Sequence, residues 1–135
     1  MAISVKKLKG INTNIESNLT KLGIRNSMQL LDASKGPSER KALARQIGVN
    51  ERDILELANR ADLSRVKGIA GVYSDLLEKA GVDTIKELAT RRADNLHAKL
   101  VEVNHEIKLS NREPTLSMVN DWVNQAKSLP KVLSY

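Results

Sequence analysis

Two histidines and sixteen acidic side chains are the residues with which this 135-residue chain could hold a metal ion or move protons. His97 and His105 lie on one predicted helix at a spacing that separates them by about 12 Å along its axis. A single metal ion needs its ligands at about 2 Å, so it cannot use both. His105 and Glu102 share a face but supply only two ligands. We therefore expect no metal site and two histidines that face solvent.

The acidic residues offer no paired carboxylates for acid–base catalysis. They are scattered singly and mostly lie near a basic residue, as Glu16 does to Lys21, so none sits in an apolar run that would raise its pKa. The serines lack a nucleophile elbow, and the glycines lack the spacing of a phosphate-binding loop that ends in Lys and a hydroxyl residue. With no Cys in the chain, the sequence predicts neither an enzyme nor a cofactor.

The composition is aliphatic: 18 Leu, 10 Val and 9 Ile stand against no Phe, one Trp and two Tyr. A single-strand binder that stacks bases on aromatic rings needs more rings than these. Trp122 and Tyr73 lie on apolar stripes and are interpreted as core residues, whereas Tyr135 is expected in a flexible tail. No apolar run approaches about 18 residues and no signal peptide is recognisable, so we expect a cytoplasmic protein with no membrane contact and no small-molecule substrate.

An internal repeat organises these residues. The segment that begins Leu8-Lys9-Gly10-Ile11-Asn12 aligns without gaps, at an offset of 58, with the segment that begins Val66-Lys67-Gly68-Ile69-Ala70. Apolar residues spaced three and four apart follow in both copies, which is typical of a helix with one buried face. Gly23 and Gly81 stand where each of these helices should end.

Helix-start signals recur at equivalent places as well. Asn26 stands three residues before Gln29, and Thr84 three before Glu87, which predicts a capping box in each copy. Ser38 is a plausible helix cap after Gly36 and Pro37. The segment before Ile54 corresponds to that before Val119 at an offset of 65, with Leu57 matching Trp122. Helices are therefore predicted over 3–9, 12–22, 27–34, 38–47, 51–62, 63–67, 70–80, 85–90, 92–109 and 115–128.

The glycine segments resemble the helix-hairpin-helix motif. The chain from about Val5 to Leu129 looks like an uncharacterised bacterial and cyanobacterial family, a domain of unknown function with two such units; the phrases at 61–69 and 77–84 carry the resemblance most specifically. It implies an all-α fold of two tandem, SAM-like five-helix units, related to hairpin domains of DNA repair proteins and polymerases. We place the units at residues 1–63 and 64–135 and expect them to pack into one compact body.

The resemblance implies a phosphate-binding role for the two turns. A glycine lets the protein backbone approach a phosphate, and the amides at the start of the next helix point towards that phosphate. Such contacts hold the sugar–phosphate backbone of a duplex without recognising its bases. Where the motif usually has a second glycine, Asn12 and Ala70 stand instead, and Gly71 is out of register by one. The candidate residues are Lys6, Lys7, Lys9, Gly10, Ile11, Asn12, Thr13, Arg65, Lys67, Gly68, Ile69, Ala70 and Gly71.

Charge favours the first turn. Residues 1–65 hold 12 basic side chains against 7 acidic ones, whereas residues 66–135 hold 10 against 9. This surplus predicts a polyanionic partner, most simply a double-stranded nucleic acid. Two other interpretations remain open. In one, the lysines are only a solvated helix face and the glycine turns are only connections. In the other, the helical body is an interaction module for a partner protein.

Overall fold

The computed structural model describes residues 2–8, 10–69 and 71–135, and within these ranges it contains eight α-helices and no β-strand. The predicted all-α class is therefore confirmed. A 3-10 turn at Val5–Lys7 comes first. The helices are α1 (Thr13–Lys21), α2 (Ser27–Ala33), α3 (Pro37–Ile47), α4 (Glu51–Leu63), α5 (Val72–Lys79), α6 (Ile85–Thr90), α7 (Ala93–Ile107) and α8 (Leu116–Ser128).

The chain divides into two compact units. The first comprises Met1–Arg65 together with Val132–Tyr135, and the second comprises Val66–Lys131. The division falls after Arg65, whereas the boundary expected from the sequence falls after residue 63. Each unit consequently holds four of the described helices, α1 to α4 and α5 to α8.

The internal repeat is visible in the backbone hydrogen bonds. Ile11 N donates to Leu8 O at 3.2 Å, and Ile69 N donates to Val66 O at 3.4 Å. At the ends of α1 and α5, Ile24 N donates to Leu19 O and Val82 N to Leu77 O, at 2.9 and 2.8 Å. The two units thus use the same local connections at the offset that the sequence predicts.

Helices α4 and α8 close the repeat. Both are 13 residues long and both begin after a capping side chain. Asn50 Oδ1 accepts from Asp53 N, and Thr115 Oγ1 accepts from Met118 N. In the first unit α4 packs on α2 and α3, and in the second unit α8 packs on α6 and α7. The helix that ends each unit is therefore the one around which its core forms.

The core of the first unit is aliphatic throughout. Leu19, Leu30 and Ile54 are completely buried at its centre. Apolar side chains at spacings of three and four along α1, α3 and α4 account for this, because they put one face of each helix inwards. The whole cluster comprises Val5, Leu8, Ile15, Leu19, Ile24, Leu30, Leu31, Leu43, Ala44, Ile47, Ile54, Leu57, Ala58, Ala61 and Leu133.

In the second unit Trp122 supplies the largest buried side chain. It is 2% exposed, and Tyr73 packs against it with ring centroids 5.4 Å apart and planes inclined at 50°. The core interpretation of Trp122 is confirmed. Tyr73 is only half-buried, because its hydroxyl reaches out to the Arg112 carbonyl at 3.1 Å. The second core therefore combines aliphatic side chains with one aromatic pair.

Three local predictions were wrong. The segment 3–9 holds only the short 3-10 turn, and instead of a helix at 63–67 the chain continues from α4 in turns. Ser38 lies inside α3 rather than capping it, since Gly36 is the N-cap and Pro37 takes the first helical position, where its missing N–H is not needed.

The C-terminal segment is ordered against the first unit, so the expected flexible tail is also wrong. Leu133 is buried in the core, and Ser134 N donates to Lys35 O at 2.8 Å. The buried Arg40 side chain donates through Nη2 to Ser134 O, and its guanidinium carbon lies 5.6 Å from the Tyr135 ring centre. Tyr135 Oη in turn donates a hydrogen bond to Asn59 Oδ1 at 2.8 Å.

Candidate functional site

The first glycine turn, residues 8–13, connects the 3-10 turn to α1. Gly10 has φ +93°, a conformation that an L side chain rarely adopts and that fits glycine. Asn12 then caps α1, because its Oδ1 accepts from Ile15 N at 2.8 Å. Lys9, one of the predicted site residues, lies outside the described residues. The turn therefore brings an exposed glycine directly to the start of a helix.

Most of this turn faces solvent. Gly10, Asn12 and Thr13 are exposed, whereas Ile11 is half-buried against the core. The backbone bonds of α1 begin with Glu16 N donating to Asn12 O. The amides of Thr13 and Asn14 come before that bond and have no acceptor within the helix. They are donors of the kind that bind an anion at a helix start.

Two lysines lie beside the first glycine turn. Lys6 and Lys7 are both exposed. Lys6 Nζ stands 3.7 Å from Glu16 Oε1 on α1, so a carboxylate already balances much of its charge. Lys7 makes no ion pair with any residue that the structure describes. Of these two side chains, Lys7 therefore offers the less compensated positive charge.

The second glycine turn, residues 66–71, repeats the conformation of the first glycine but not its surroundings. Gly68 has φ +96°, close to the value at Gly10. A Cβ built on Gly68 would lie 3.1 Å from Trp122 Nε1, whereas one built on Gly10 would lie 3.8 Å from Leu57 Cδ2. Trp122 and Leu57 are the residues that the repeat aligns. The larger side chain thus approaches the second glycine more closely, although Gly68 itself is exposed.

A glutamine on α8 holds the backbone of the second turn. Lys67 N donates to Gln125 Oε1 at 2.8 Å, and Gln125 Nε2 donates to Lys67 O at 3.2 Å. Ile69 is completely buried, as expected for an anchor, and Ala70 lies outside the described residues. Gly71 caps α5 without any side-chain hydrogen bond. The backbone of Lys67 is therefore already bound inside the unit.

Arg65 is placed away from a phosphate-binding surface. Its side chain is 7% exposed, and its Nη2 and Nε lie 2.7 and 2.9 Å from Asp62 Oδ1. A guanidinium in this position serves to pair a buried carboxylate. Lys6, Lys7, Gly10, Asn12 and Thr13 are thus all exposed within one short stretch of the first unit, whereas the Arg65 side chain is not.

Sequence reasoning missed Gln125 and Asp62. Gln125 is a polar residue within the apolar stripe between Trp122 and Ala126, and such an interruption is the signal that could have identified it as a partner for a backbone. Asp62 stands three residues before Arg65 on the same helical face, which is a recognisable ion-pair spacing.

The histidines are positioned as separate groups. His105 Nε2 lies 2.7 Å from Glu113 Oε1 in the loop that precedes α8, and Glu102 pairs with Lys99 rather than with His105. His97 is half-buried, so its expected solvent-facing position is only partly realised. Among the described residues no three His, Asp or Glu side chains form a group that could hold a metal ion.

Together these features define an all-helical protein in which one glycine turn occurs twice, with Leu57 beside the first copy and Trp122 and Gln125 beside the second. Residues 9–129 match the family model of a domain of unknown function, DUF4332, and the chain belongs to this family. No curated protein and no solved structure matches the chain. Of the described helices, none combines the length and apolar character needed to cross a membrane.

Proposed function

We propose that this protein is a non-catalytic, cytoplasmic binder of nucleic-acid duplexes, and that it holds the sugar–phosphate backbone at the first glycine turn. In this proposal both turns are helix-hairpin-helix elements of a bacterial type, and only the first binds. The observation that carries the proposal is the exposure of Gly10, Asn12 and Thr13 beside two exposed lysines.

The proposed contact uses the backbone more than side chains. At Gly10 no Cβ keeps a phosphate oxygen away, and the Thr13 and Asn14 amides donate to it. The Asn12 carboxamide uses its oxygen for the helix cap, which leaves its Nδ2 group as a further donor. Lys7, and to a smaller extent Lys6, attract the duplex from a distance. Such contacts are independent of base sequence.

Salt dependence tests this proposal. We expect a fluorescein-labelled duplex of mixed sequence to bind with a Kd below about 100 μM at low salt, since non-specific binders reach about 1 to 100 μM even at physiological salt. Each neutralised phosphate contributes about 0.9 to the slope of log K against log salt concentration. Fluorescence anisotropy across a salt series measures both quantities. A Kd above about 100 μM at the lowest salt concentration would contradict the proposal.

A matched pair of charge reversals locates the contact. Lys7→Glu and Lys86→Glu both reverse an exposed lysine, the first beside the first glycine turn and the second on α6 in the other unit. We expect Lys7→Glu to weaken duplex binding about tenfold and Lys86→Glu to weaken it less than about twofold. Equal losses would mean that only overall charge matters, and the turn would no longer be the site.

An apolar groove favours a second candidate function, that of a protein-interaction module. In the first unit Leu22, Ile24, Ala33 and Leu43 line a groove of about 380 Å³, and Leu22 is 45% exposed. A helical or extended apolar segment of a partner fits such a surface. Capture of a partner from nuclease-treated lysate that Leu22→Glu abolishes and Lys7→Glu leaves intact would favour this function over duplex binding.

A further inference from the structure

A second concave surface lies wholly within the second unit and has a different chemistry. The cleft has a volume of about 720 Å³, within the range of small-molecule sites. One wall is the connection from α6 into α7, residues 89–94, and the other is one face of α8. It includes none of the residues of either glycine turn.

Basic side chains dominate the charge of this cleft. Arg91, Arg92 and Lys127 line it, against the single carboxylate of Asp94. That carboxylate is occupied, since it accepts from Asn95 N at 2.8 Å and from Arg92 Nη2 at 3.0 Å. These two hydrogen bonds, with the Asn95 amide first, hold the pKa of Asp94 below its ordinary value. Arg92 is thus paired with Asp94, and Arg91 donates to Gly81 O at 3.4 Å and interacts electrostatically with Glu87. Lys127 is the basic side chain of the cleft that forms no ion pair among the described residues.

The α8 wall presents unused polar groups in a row. Asn120, Asn124 and Lys127 are exposed at spacings of four and three, which place them along one helical face. Lys127 forms no ion pair in the described part of the chain. Ala89, Leu116 and Val123 add apolar surface to the same cleft. The cleft therefore offers cationic and amide donors together with aliphatic surface.

We infer that this cleft binds a small phosphorylated ligand that carries an apolar group. Lys127 and Arg91 attract the phosphate, and the Asn120 and Asn124 carboxamides donate to its oxygens. The aliphatic side chains of the cleft contact the apolar part of the ligand. The site acts independently of duplex binding at the first glycine turn.

Three probes separate the parts of this inference. Phenyl phosphate carries both a phosphate and an apolar ring, inorganic phosphate carries only the first, and phenol only the second. In ¹⁵N-resolved NMR titrations at constant ionic strength we expect saturable shifts at residues 89–94 and 116–127 with phenyl phosphate. We expect weaker shifts with inorganic phosphate and none with phenol. Absence of saturable shifts with phenyl phosphate, or equal shifts with phenol, would overturn the inference.

A matched pair of variants tests the basic wall. Lys127→Gln removes the uncompensated lysine of the cleft, and Lys86→Gln removes an exposed lysine of the same unit that does not line it. We expect Lys127→Gln to raise the Kd for phenyl phosphate about fivefold, with no change in Lys86→Gln. Equal effects, or none in Lys127→Gln, would overturn the site.

A short duplex distinguishes a small ligand from nucleic acid as the source of phosphate. We expect the duplex to shift residues 6–13 and to leave residues 116–127 unchanged. Cleft shifts with the duplex but not with phenyl phosphate would overturn the small-ligand inference. Cleft shifts with phenyl phosphate alone, without duplex binding, would support it while contradicting the proposed function.

Discussion

The two glycine turns share the conformation of their first glycine and differ in what lies beside it. Gly10 and Gly68 differ in φ by only a few degrees, and the same amide-to-carbonyl bond follows each. At Gly10 the neighbour is the end of a leucine side chain, while Gly68 lies under an indole and beside a glutamine that binds the backbone. A repeated backbone therefore does not imply a repeated function. The side chain contributed by the last helix of each unit decides how closely the turn glycine is approached, although Gly10 and Gly68 are both exposed.

The largest expected effect comes from adding a methyl group to each turn. Gly68→Ala meets Trp122 Nε1 at 3.1 Å in addition to its unfavourable φ, whereas Gly10→Ala suffers the backbone strain alone. We expect losses of about 3 and about 1.5 kcal/mol in unfolding free energy. Urea unfolding followed by far-UV circular dichroism and by Trp122 fluorescence measures both. Equal losses would show that the indole does not constrain the second turn.

A double-mutant cycle sharpens the same comparison. Trp122→Leu gives the second unit the residue that the first unit has at the matching position, Leu57. In this background we expect Gly68→Ala to cost about 1 kcal/mol less than in the parent chain, since the close approach is gone. Additive losses in urea unfolding followed by far-UV circular dichroism alone, since Trp122→Leu removes the fluorescent residue, would argue against direct coupling between the two residues.

Helix caps provide a smaller contrast between the units. In α2, Asn26 Oδ1 accepts from Gln29 N and the Gln29 side chain accepts from Asn26 N, so the predicted capping box is complete. In α6, Thr84 Oγ1 accepts from Glu87 N, and among the described residues the reciprocal bond of a capping box is not formed. We expect Asn26→Ala to cost about 1.5 kcal/mol and Thr84→Ala about 1 kcal/mol in urea unfolding. Ser17→Ala, on an exposed face of α1, is the control and should cost almost nothing.

The smallest effect concerns pH. Burial, followed by a hydrogen bond and charge repulsion from Asp83, raises the pKa of Glu87 above its ordinary value. The folded state thus holds this proton more tightly than the unfolded chain does. Its contribution to stability is complete below the unfolded pKa and is lost as pH rises through the folded pKa.

The first unit has the neutral Gln29 at the matching position, so Glu87→Gln removes this difference. We expect the substitution to leave stability at low pH unchanged and to raise it at neutral pH by about a few tenths of a kcal/mol, because the group is partly solvated. Thermal unfolding from pH 3 to 7 measures this, with Glu106→Gln as the control. A variant whose stability keeps the parent's pH dependence would exclude Glu87 as the cause.

Much of the fold follows from local signals, and the limits of prediction are physical. The offset of 58, the glycines at 23 and 81 and the cap at Asn26 are short-range features, and the structure contains them. The contacts that distinguish the two turns join residues far apart in the chain, such as Lys67 and Gln125. Spacing along one sequence does not reveal which helix covers which turn. The docking of Tyr135 was missed for the same reason.

The return of Val132–Tyr135 to the first unit has a consequence for synthesis. Leu133 belongs to the core of that unit, yet the ribosome adds it only after the whole of Val66–Lys131. Because domains fold as they leave the ribosome, the unit made first must wait for its last core residue until the other has been translated. The order of synthesis and the order of completion are therefore reversed.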